Sequence, residues 1–286
     1  MKVHYLLISL LLILGLITSC QDVVEIETPS EDPRLIVDAL IRVDTTEAFT
    51  MVEVKVSETR SFFESVPPAG LQQITLTGLE GGFAEVLIEE IPGSGVYSKL
   101  VSTQGLIGEE ILLQIDFEDK FFVAYAEFQS TVPFDSVEQG PGGLFDDDDI
   151  EVVVTFTDNE DSDDWYLFDF DLAEFLTSRD QFYQGQQFSF SYFYDQEIDP
   201  GTEVEISIMG VDERFHDYMD KVIEQSSQNF GFFETPSLTV RGNLINATDI
   251  DNIDNFDNTN TSNNFALGYF AIVQEYKTTL TIEANE

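Results

Sequence analysis

The chain's single thiol, Cys20, closes the segment Leu16-Ile17-Thr18-Ser19-Cys20. Lys2 and an apolar run from Tyr5 to Ile17 precede it. A basic start, a short apolar core and small residues before a thiol read as a secretory signal that ends on a lipidated cysteine. On that reading residues 1–19 are removed and Cys20 carries the acyl chains. Each buried CH2 contributes about 0.8 kcal/mol, so durable tethering takes more than one chain. The competing reading is a transmembrane helix, since an uncharged stretch over 3–21 approaches the roughly 20 residues a span needs. Thr18, Ser19 and Gln21 make a poor span end, and no basic cluster follows.

Other candidate chemistry is sparse. His216 is the one histidine outside the signal, so any Ser-His-Asp or Cys-His device would have to use it. Asp212 and Asp220 lie four residues to either side. On a helix, that spacing can bring an imidazole and a carboxylate to one metal; the plainer reading is a solvated helix edge. The stretch Asp251-Asn252-Ile253-Asp254-Asn255-Phe256-Asp257-Asn258 repeats acid, amide and apolar residue with a period of three. Carboxylates and amide carbonyls are the hard oxygen ligands Ca2+ prefers, which makes Asp251, Asp254 and Asp257 a candidate Ca2+ loop. It lacks the glycine turn of an EF-hand, and the plainer reading is a flexible, hydrated insertion. The acidic run 146–149 has the same two readings.

Thr45 in Asp44-Thr45-Thr46 and Ser136 in Asp135-Ser136-Val137 fit a short bacterial O-glycosylation pattern of Asp, hydroxyl residue, then small or apolar residue. Asn246-Ala247-Thr248 matches the N-glycosylation sequon. Trp165, Tyr183 and the aromatic strands suit sugar stacking, although aromatic alternation at strand spacing usually marks a core. Paired carboxylates for glycoside hydrolysis cannot be singled out among 55 Asp+Glu.

The formal net charge is −43, from 12 Lys+Arg against 55 Asp+Glu. Loss of the signal removes Lys2 and no acid. Such a field excludes nucleic acid, which needs clustered Lys/Arg on phosphate. It favours cations and basic protein patches. Hydrophobic content of 43%, with 25 Phe and 10 Tyr, is ample for a packed core. With Cys20 acylated no intrachain disulfide can form, so packing alone must stabilise the fold. The length of 286 residues suggests two domains.

Residues 20–33 read as a tether. Short β-rich runs then open over 34–41, 49–56, 73–77, 83–91, 96–101, 110–117 and 121–128. Gly81-Gly82 and Pro92-Gly93-Ser94-Gly95 supply turns between them. About seven short strands in roughly 100 residues predict an Ig-like β-sandwich over 34–133. A second, β-rich domain is expected over 134–286. Its strands are read at 151–156, at 165–172 with Tyr166, Phe168, Phe170 and Leu172 on one face, and at 188–194. Asp199-Pro200-Gly201 signals a hairpin into 203–209. Phe215, Tyr218, Met219, Val222 and Ile223 form the apolar stripe of one amphipathic helix over 212–227, with Asp212 as N-cap. After it come the aromatic segment 230–233, a short strand through Val240, a polar loop to Asn264, and closing strands over 265–282. The fold class is mainly β.

The order of these features resembles one family, the Bacteroidetes outer-membrane lipoproteins catalogued as domain of unknown function 4249. The likeness rests on the lipidation segment, on Pro33-Arg34-Leu35-Ile36-Val37-Asp38 and on Val54-Lys55-Val56-Ser57-Glu58-Thr59. It continues in Gly95-Val96-Tyr97, in Val132-Pro133-Phe134-Asp135-Ser136-Val137 and in the helix. Gly242-Asn243-Leu244-Ile245 and Ala266-Leu267-Gly268-Tyr269-Phe270 are its most specific parts. Gln21 after the cysteine resembles an outer-membrane sorting signal, and Asp22, Glu25 and Glu27 resemble a surface-export signal. The resemblance implies a lipid-anchored protein on the outer membrane, facing the exterior, beside a TonB-dependent transporter. It carries no catalytic residues, so the expectation is a non-enzymatic accessory protein. The alternative is a module that captures a glycan or a divalent cation. The loop 243–264 and the extreme acidity depart from the family pattern.

Overall fold

Alternation dictates the first strands. In β1 (Leu35–Val43), Leu35, Val37, Ala39, Ile41 and Val43 are buried while Asp38 is exposed. β2 (Phe49–Glu58) buries Thr50, Val52, Val54 and Val56 and leaves the residues between them in water. A period of two puts one face of each strand against a core. Burying each such aliphatic side chain stabilises by roughly 1.5–3 kcal/mol. β3 (Gln73–Gly78), β4 (Ala84–Val86), β5 (Ile88–Glu89) and β6 (Val96–Ser102) follow. A short helix α1 (Thr103–Ile107) then leads to β7 (Ile111–Phe117) and β8 (Lys120–Ala126). The computed structural model describes residues 32–60, 64–143, 150–226, 240–260 and 264–284. The signal, Cys20, the tether up to residue 31, the acidic run 146–149, Ser227 at the end of the expected helix and the segment 230–233 lie outside them.

One sheet carries β1-β2-β6-β5 and the other β8-β7-β3-β4. These are the ABED and GFC orders of an Ig-like sandwich, with β4 as an added edge strand. The expected strand over 83–91 proves to be two pieces, because the chain changes sheets at the buried Leu87. β4 pairs with β3, and β5 with β6.

The remaining strands are β9 (Phe128–Gln129), β10 (Phe134–Gln139), β11 (Glu151–Thr157), β12 (Trp165–Asp169), β13 (Phe175–Arg179), β14 (Gln187–Phe193) and β15 (Glu203–Val211). After helix α2 (Glu213–Ser226) come β16 (Ile245–Asn246) and the long β17 (Leu267–Thr281). β17 joins the halves. It pairs in parallel with β1 through Ile36↔Leu267 to Val43↔Gln274, and antiparallel with β15 through Glu203↔Thr281 to Met209↔Glu275. The large sheet therefore runs β13-β12-β15-β17-β1-β2-β6-β5, across the expected 133/134 boundary. On one face of β17, Phe270 and Ile272 enter the first core, and Tyr276, Leu280 and the following Ile282 enter a second. β10-β11-β14 form the sheet that closes this second core. Both cores belong to one compact unit, Asp32–Arg60 with Ser65–Glu286.

The second core is aromatic. Phe156, Tyr166, Phe168 and Phe170 are fully buried, and Phe188, Phe190 and Tyr192 pack against them. Phe170 stacks on Tyr192 with ring centroids 3.8 Å apart. Two expectations fail here. Leu172 leaves the face of Tyr166 and Phe168, because β12 ends at Asp169 and Asp171, Leu172 and Ala173 all take positive φ. The turn at Asp199-Pro200-Gly201 makes no hairpin: β14 pairs with β11, while β15 pairs with β12 and β17. The turn carries the chain from one layer to the other.

α2 covers the back of the large sheet, where Phe215 packs with Leu167, Met209, Val211 and Tyr269. Asp212 caps it as expected: the Phe215 N–H donates to Asp212 Oδ1 at 2.6 Å. Arg42 donates to Asp169 Oδ2 at 2.7 Å and to Glu275 Oε1 at 3.0 Å, so one guanidinium ties β1, β12 and β17 together.

Candidate functional site

Among the described residues, one group of three carboxylates gathers at one end of the second core. Asp158 follows β11, Asp164 precedes β12, and Asp180 opens a short 3-10 helix after β13. One carboxylate oxygen from each lies within 4.8 Å of the other two. Asp158 and Asp180 are buried, and Asp164 is half-buried. The backbone explains the convergence. The Asp164 N–H donates to Asp180 Oδ2 at 2.8 Å, and the Asp180 N–H to the Asp164 carbonyl at 3.1 Å. Asp158 Oδ2 accepts the Gly185 N–H at 2.8 Å, and Asp158 Oδ1 accepts the Tyr166 hydroxyl. Ser162 donates its hydroxyl to Asp164 Oδ2 at 2.9 Å.

The carboxylates thus staple two loops to the rim of the aromatic core. Burial pushes the Asp164 carboxyl above its ordinary value, and the charges of Asp158, Asp180 and Asp163 push the same way, against the Ser162 hydrogen bond. Burial also raises the Tyr166 phenol, reinforced by its bond to Asp158. Three oxygen ligands at this spacing suit a hard cation such as Ca2+. The acid-dense turn Asp158-Asn159-Glu160-Asp161-Ser162-Asp163-Asp164 is visible in the sequence. The arrival of Asp180 is not, because it depends on the β12–β13 hairpin.

The expected site residues fare differently. Asp251, Asp254 and Asp257 do not form such a group. Asp251 Oδ1 accepts the Asn260 N–H at 3.0 Å, and Asp257 Oδ1 accepts the Thr259 N–H at 3.1 Å and its hydroxyl at 2.7 Å. The oxygens of Asp251 and Asp257 hold the loop's own backbone, and Asp254 is exposed. His216 Nδ1 sits 3.3 Å from Asp217 Oδ1. Asp212 is spent on the helix cap, and Asp220 accepts the Thr177 hydroxyl at 3.1 Å. The helical spacing therefore assembles no imidazole–carboxylate pair with either. Thr45 is exposed between β1 and β2, its hydroxyl accepting from Gln274 Nε2 at 3.1 Å. Ser136 is half-buried within β10, opposite Thr155. Trp165 and Tyr183 belong to packed clusters and offer no open stacking platform.

A cleft of about 620 Å³ lies between α2 and the outward face of β1 and β2. Leu40, Phe215, Tyr218 and Tyr269 give it an apolar lining. Its cations are already paired, Arg42 as above and Lys55 with Glu53 at 3.5 Å. Burial raises the Tyr218 phenol, with Asp38 adding to the shift.

The motifs Gly242-Asn243 and Gly268-Tyr269-Phe270 meet in space. Asn243 Nδ2 donates to the Phe270 carbonyl at 2.8 Å, and the Phe270 N–H donates to Asn243 Oδ1 at 2.9 Å. One side-chain amide thus mimics a neighbouring strand along β17. Gly268 has φ +95, and a Cβ there would lie 1.8 Å from the Val37 carbonyl oxygen. A Cβ on Gly242 would lie 1.5 Å from the Gly268 carbonyl oxygen. Only glycine fits either place, so these motifs build the junction of β17 with β1.

Two sandwiches on one shared sheet, with a helix on its back, define a β-rich class of body with no recognisable catalytic constellation among the described residues. The family model described as Domain of unknown function (DUF4249) matches residues 21–279. The chain belongs to that family. No curated protein matches it.

Proposed function

We propose that this chain is a non-enzymatic lipoprotein of the outer membrane, anchored through Cys20, facing the cell exterior and serving as accessory partner to a TonB-dependent transporter. The observation that carries it is the lipidation segment Leu16-Ile17-Thr18-Ser19-Cys20, followed by an acidic tether and a body whose first strand starts at Leu35. The body supports a binding role. His216 serves the helix surface, the acids near it serve caps and loops, and the family motifs serve the sheet junction. The test is protease shaving of intact cells, with crosslinking of outer membranes and mass spectrometry. The wild type should be shaved from outside and recovered with a barrel transporter, and Cys20→Ala should leave the membrane fraction. Recovery without any barrel sinks the partnership, and membrane retention of Cys20→Ala sinks the anchor.

Divalent-cation capture is the second reading, and the Asp158, Asp164 and Asp180 group favours it. Calorimetry with Ca2+ decides it: heat that disappears in Asp180→Asn supports capture, and no heat in the wild type ends it.

A further inference from the structure

The loop between β16 and β17 is absorbed by none of these roles, and its build is unusual. The period of three in Asp251 to Asn258 places its two apolar residues at the tip. Ile253 is 85% exposed and Phe256 is 47% exposed. Phe256 also takes φ +50, a region that L residues other than Asn and Asp rarely enter. Single exposed apolar residues are ordinary on protein surfaces. Two on one turn, one of them a phenylalanine in left-handed backbone, are not.

The tip is presented on a built root. Asn252 and Asp257 exchange both backbone hydrogen bonds at 3.2 Å. Below them Asn258 is fully buried; its Nδ2 donates to the Asn246 and Asp249 carbonyls at 3.1 and 2.9 Å, and its Oδ1 accepts the Asn246 N–H at 2.7 Å. Asp251, Asn252, Asp257 and Asn258 hold the loop in shape, and Ile253 and Phe256 are left to face outward.

Position supplies the partner's nature. Arg241 donates to the Asn258 carbonyl at 3.2 Å and lies over the Phe265 ring, with Arg34 over the same ring. The loop's root is therefore beside the entry of β1, where the chain arrives from Cys20. A tether over 21–33 spans at most roughly 45 Å. On the anchored-lipoprotein reading, on which this inference rests, the tip works within reach of the membrane. Charge selects between lipid and protein. Asp251, Asp254 and Asp257 surround the tip, and the chain's net charge is −43. Anionic headgroups repel such a rim, and so does a second copy of the chain. A basic rim attracts it, and an apolar anchor in a desolvated pocket is how few side chains carry most of an interface. We infer that Ile253 and Phe256 form a docking knob for a membrane-embedded protein whose exposed face carries an apolar pocket ringed by Lys or Arg.

The test is photo-crosslinking in intact cells, with the full-length chain carrying benzoylphenylalanine at Ile253 or Phe256. Phe182, 87% exposed on the second sandwich, is the control position. The expected result is an adduct to one membrane-embedded protein from the tip and not from Phe182. Asp254 is exposed and shows no structural hydrogen bond, so Asp254→Lys should reduce the adduct at Phe256 by about tenfold while leaving the thermal midpoint in place. An adduct of lipid mass, equal yields from tip and control, or a yield unmoved by Asp254→Lys overturns the knob. Co-purification with a barrel without a tip adduct also overturns it and leaves the transporter reading standing. A tip adduct to a membrane protein that is not a barrel, suppressed by Asp254→Lys, supports the knob and retires the transporter reading.

Discussion

The two sandwiches share a sheet and differ in what fills them. The first is closed mainly by aliphatic residues such as Val52, Val54, Ile74, Leu76, Ile111 and Ile115. The second is closed by rings whose tyrosine hydroxyls reach its rim. Tyr166 donates to Asp158, Tyr192 to Glu174 Oε2 at 2.7 Å, and Tyr194 to the Phe170 carbonyl at 2.7 Å. An aliphatic core makes no polar demands. An aromatic core with hydroxyls at its edge must satisfy each of them, because an unpaired buried polar group costs about 1–3 kcal/mol. Asp158 and Glu174 meet that requirement for Tyr166 and Tyr192, so part of the second half's acidity is structural.

The largest test of this contrast is truncation at the two centres. Phe168 touches the rings of Phe156, Tyr166, Phe170 and Phe190. Phe168→Ala should cost about 3–5 kcal/mol in chemical denaturation, and Ile115→Val about 0.5–1.5 kcal/mol. Because β17 lines both cores, both variants should unfold in one transition. Two separated transitions would show that the shared strand does not couple the halves.

Arg42 tests the joint itself. Asp169 and Glu275 are each nearly buried, and Arg42→Met leaves them facing one another without a cation. A fully buried pair broken this way costs 3–5 kcal/mol; with Arg42 one-third exposed, about 2 kcal/mol is expected. The double variant Asp169→Asn with Arg42→Met should recover part of it, and no recovery would place the cost in lost packing.

The sequence displayed this architecture unevenly. Strands with alternation, such as 49–56 and 110–117, appear within a residue or two of where they were expected, and so does the helix with its Asp212 cap. Local physics fixes those elements. The sheet change at Leu87, the layer change after Asp199 and the pairing of β17 with both β1 and β15 are long-range outcomes that no local period encodes. The same divide separates the sites. The period of three in the Asx loop is visible, but it reads as metal ligands until the bonds show the acids spent on backbone. The Asp158, Asp164 and Asp180 group needs the β12–β13 hairpin to bring Asp180 back.

Alkaline titration should act on the whole fold through the tyrosines of the second sandwich. Burial raises the phenols of Tyr166, Tyr192 and Tyr194, and pushes Tyr183 up to about 12. A folded-state value above the ordinary 10 means the folded protein holds the proton more tightly. The stability is thus complete below pH 10 and is lost as pH rises through the folded values. Tyr166→Phe should lower stability by about 1–2 kcal/mol at neutral pH, since Asp158 loses a donor, and should flatten the alkaline decline. An unchanged decline would mean that these hydroxyls do not control it.

The smallest effect bears on whether the second half's acids do more than serve its tyrosines. The Asp164 carboxyl is raised by burial and by three neighbouring carboxylates. The folded state then binds its proton more tightly than the unfolded chain does. The ionised group therefore destabilises the fold above its folded value, and the cost is relieved as pH falls through that value. Asp164→Asn removes the charge and keeps an acceptor for Ser162, so it should stabilise by about 0.5 kcal/mol at pH 7, discounted for partial exposure, with the gain gone near pH 4. Millimolar Ca2+ turns the same variant into a discriminator. A bound cation would make the Asp164 charge favourable, raising the wild-type midpoint and reversing the order of the two proteins. If Ca2+ moves neither, the three carboxylates are a loop staple, and the contrast between the cores accounts for them without a ligand.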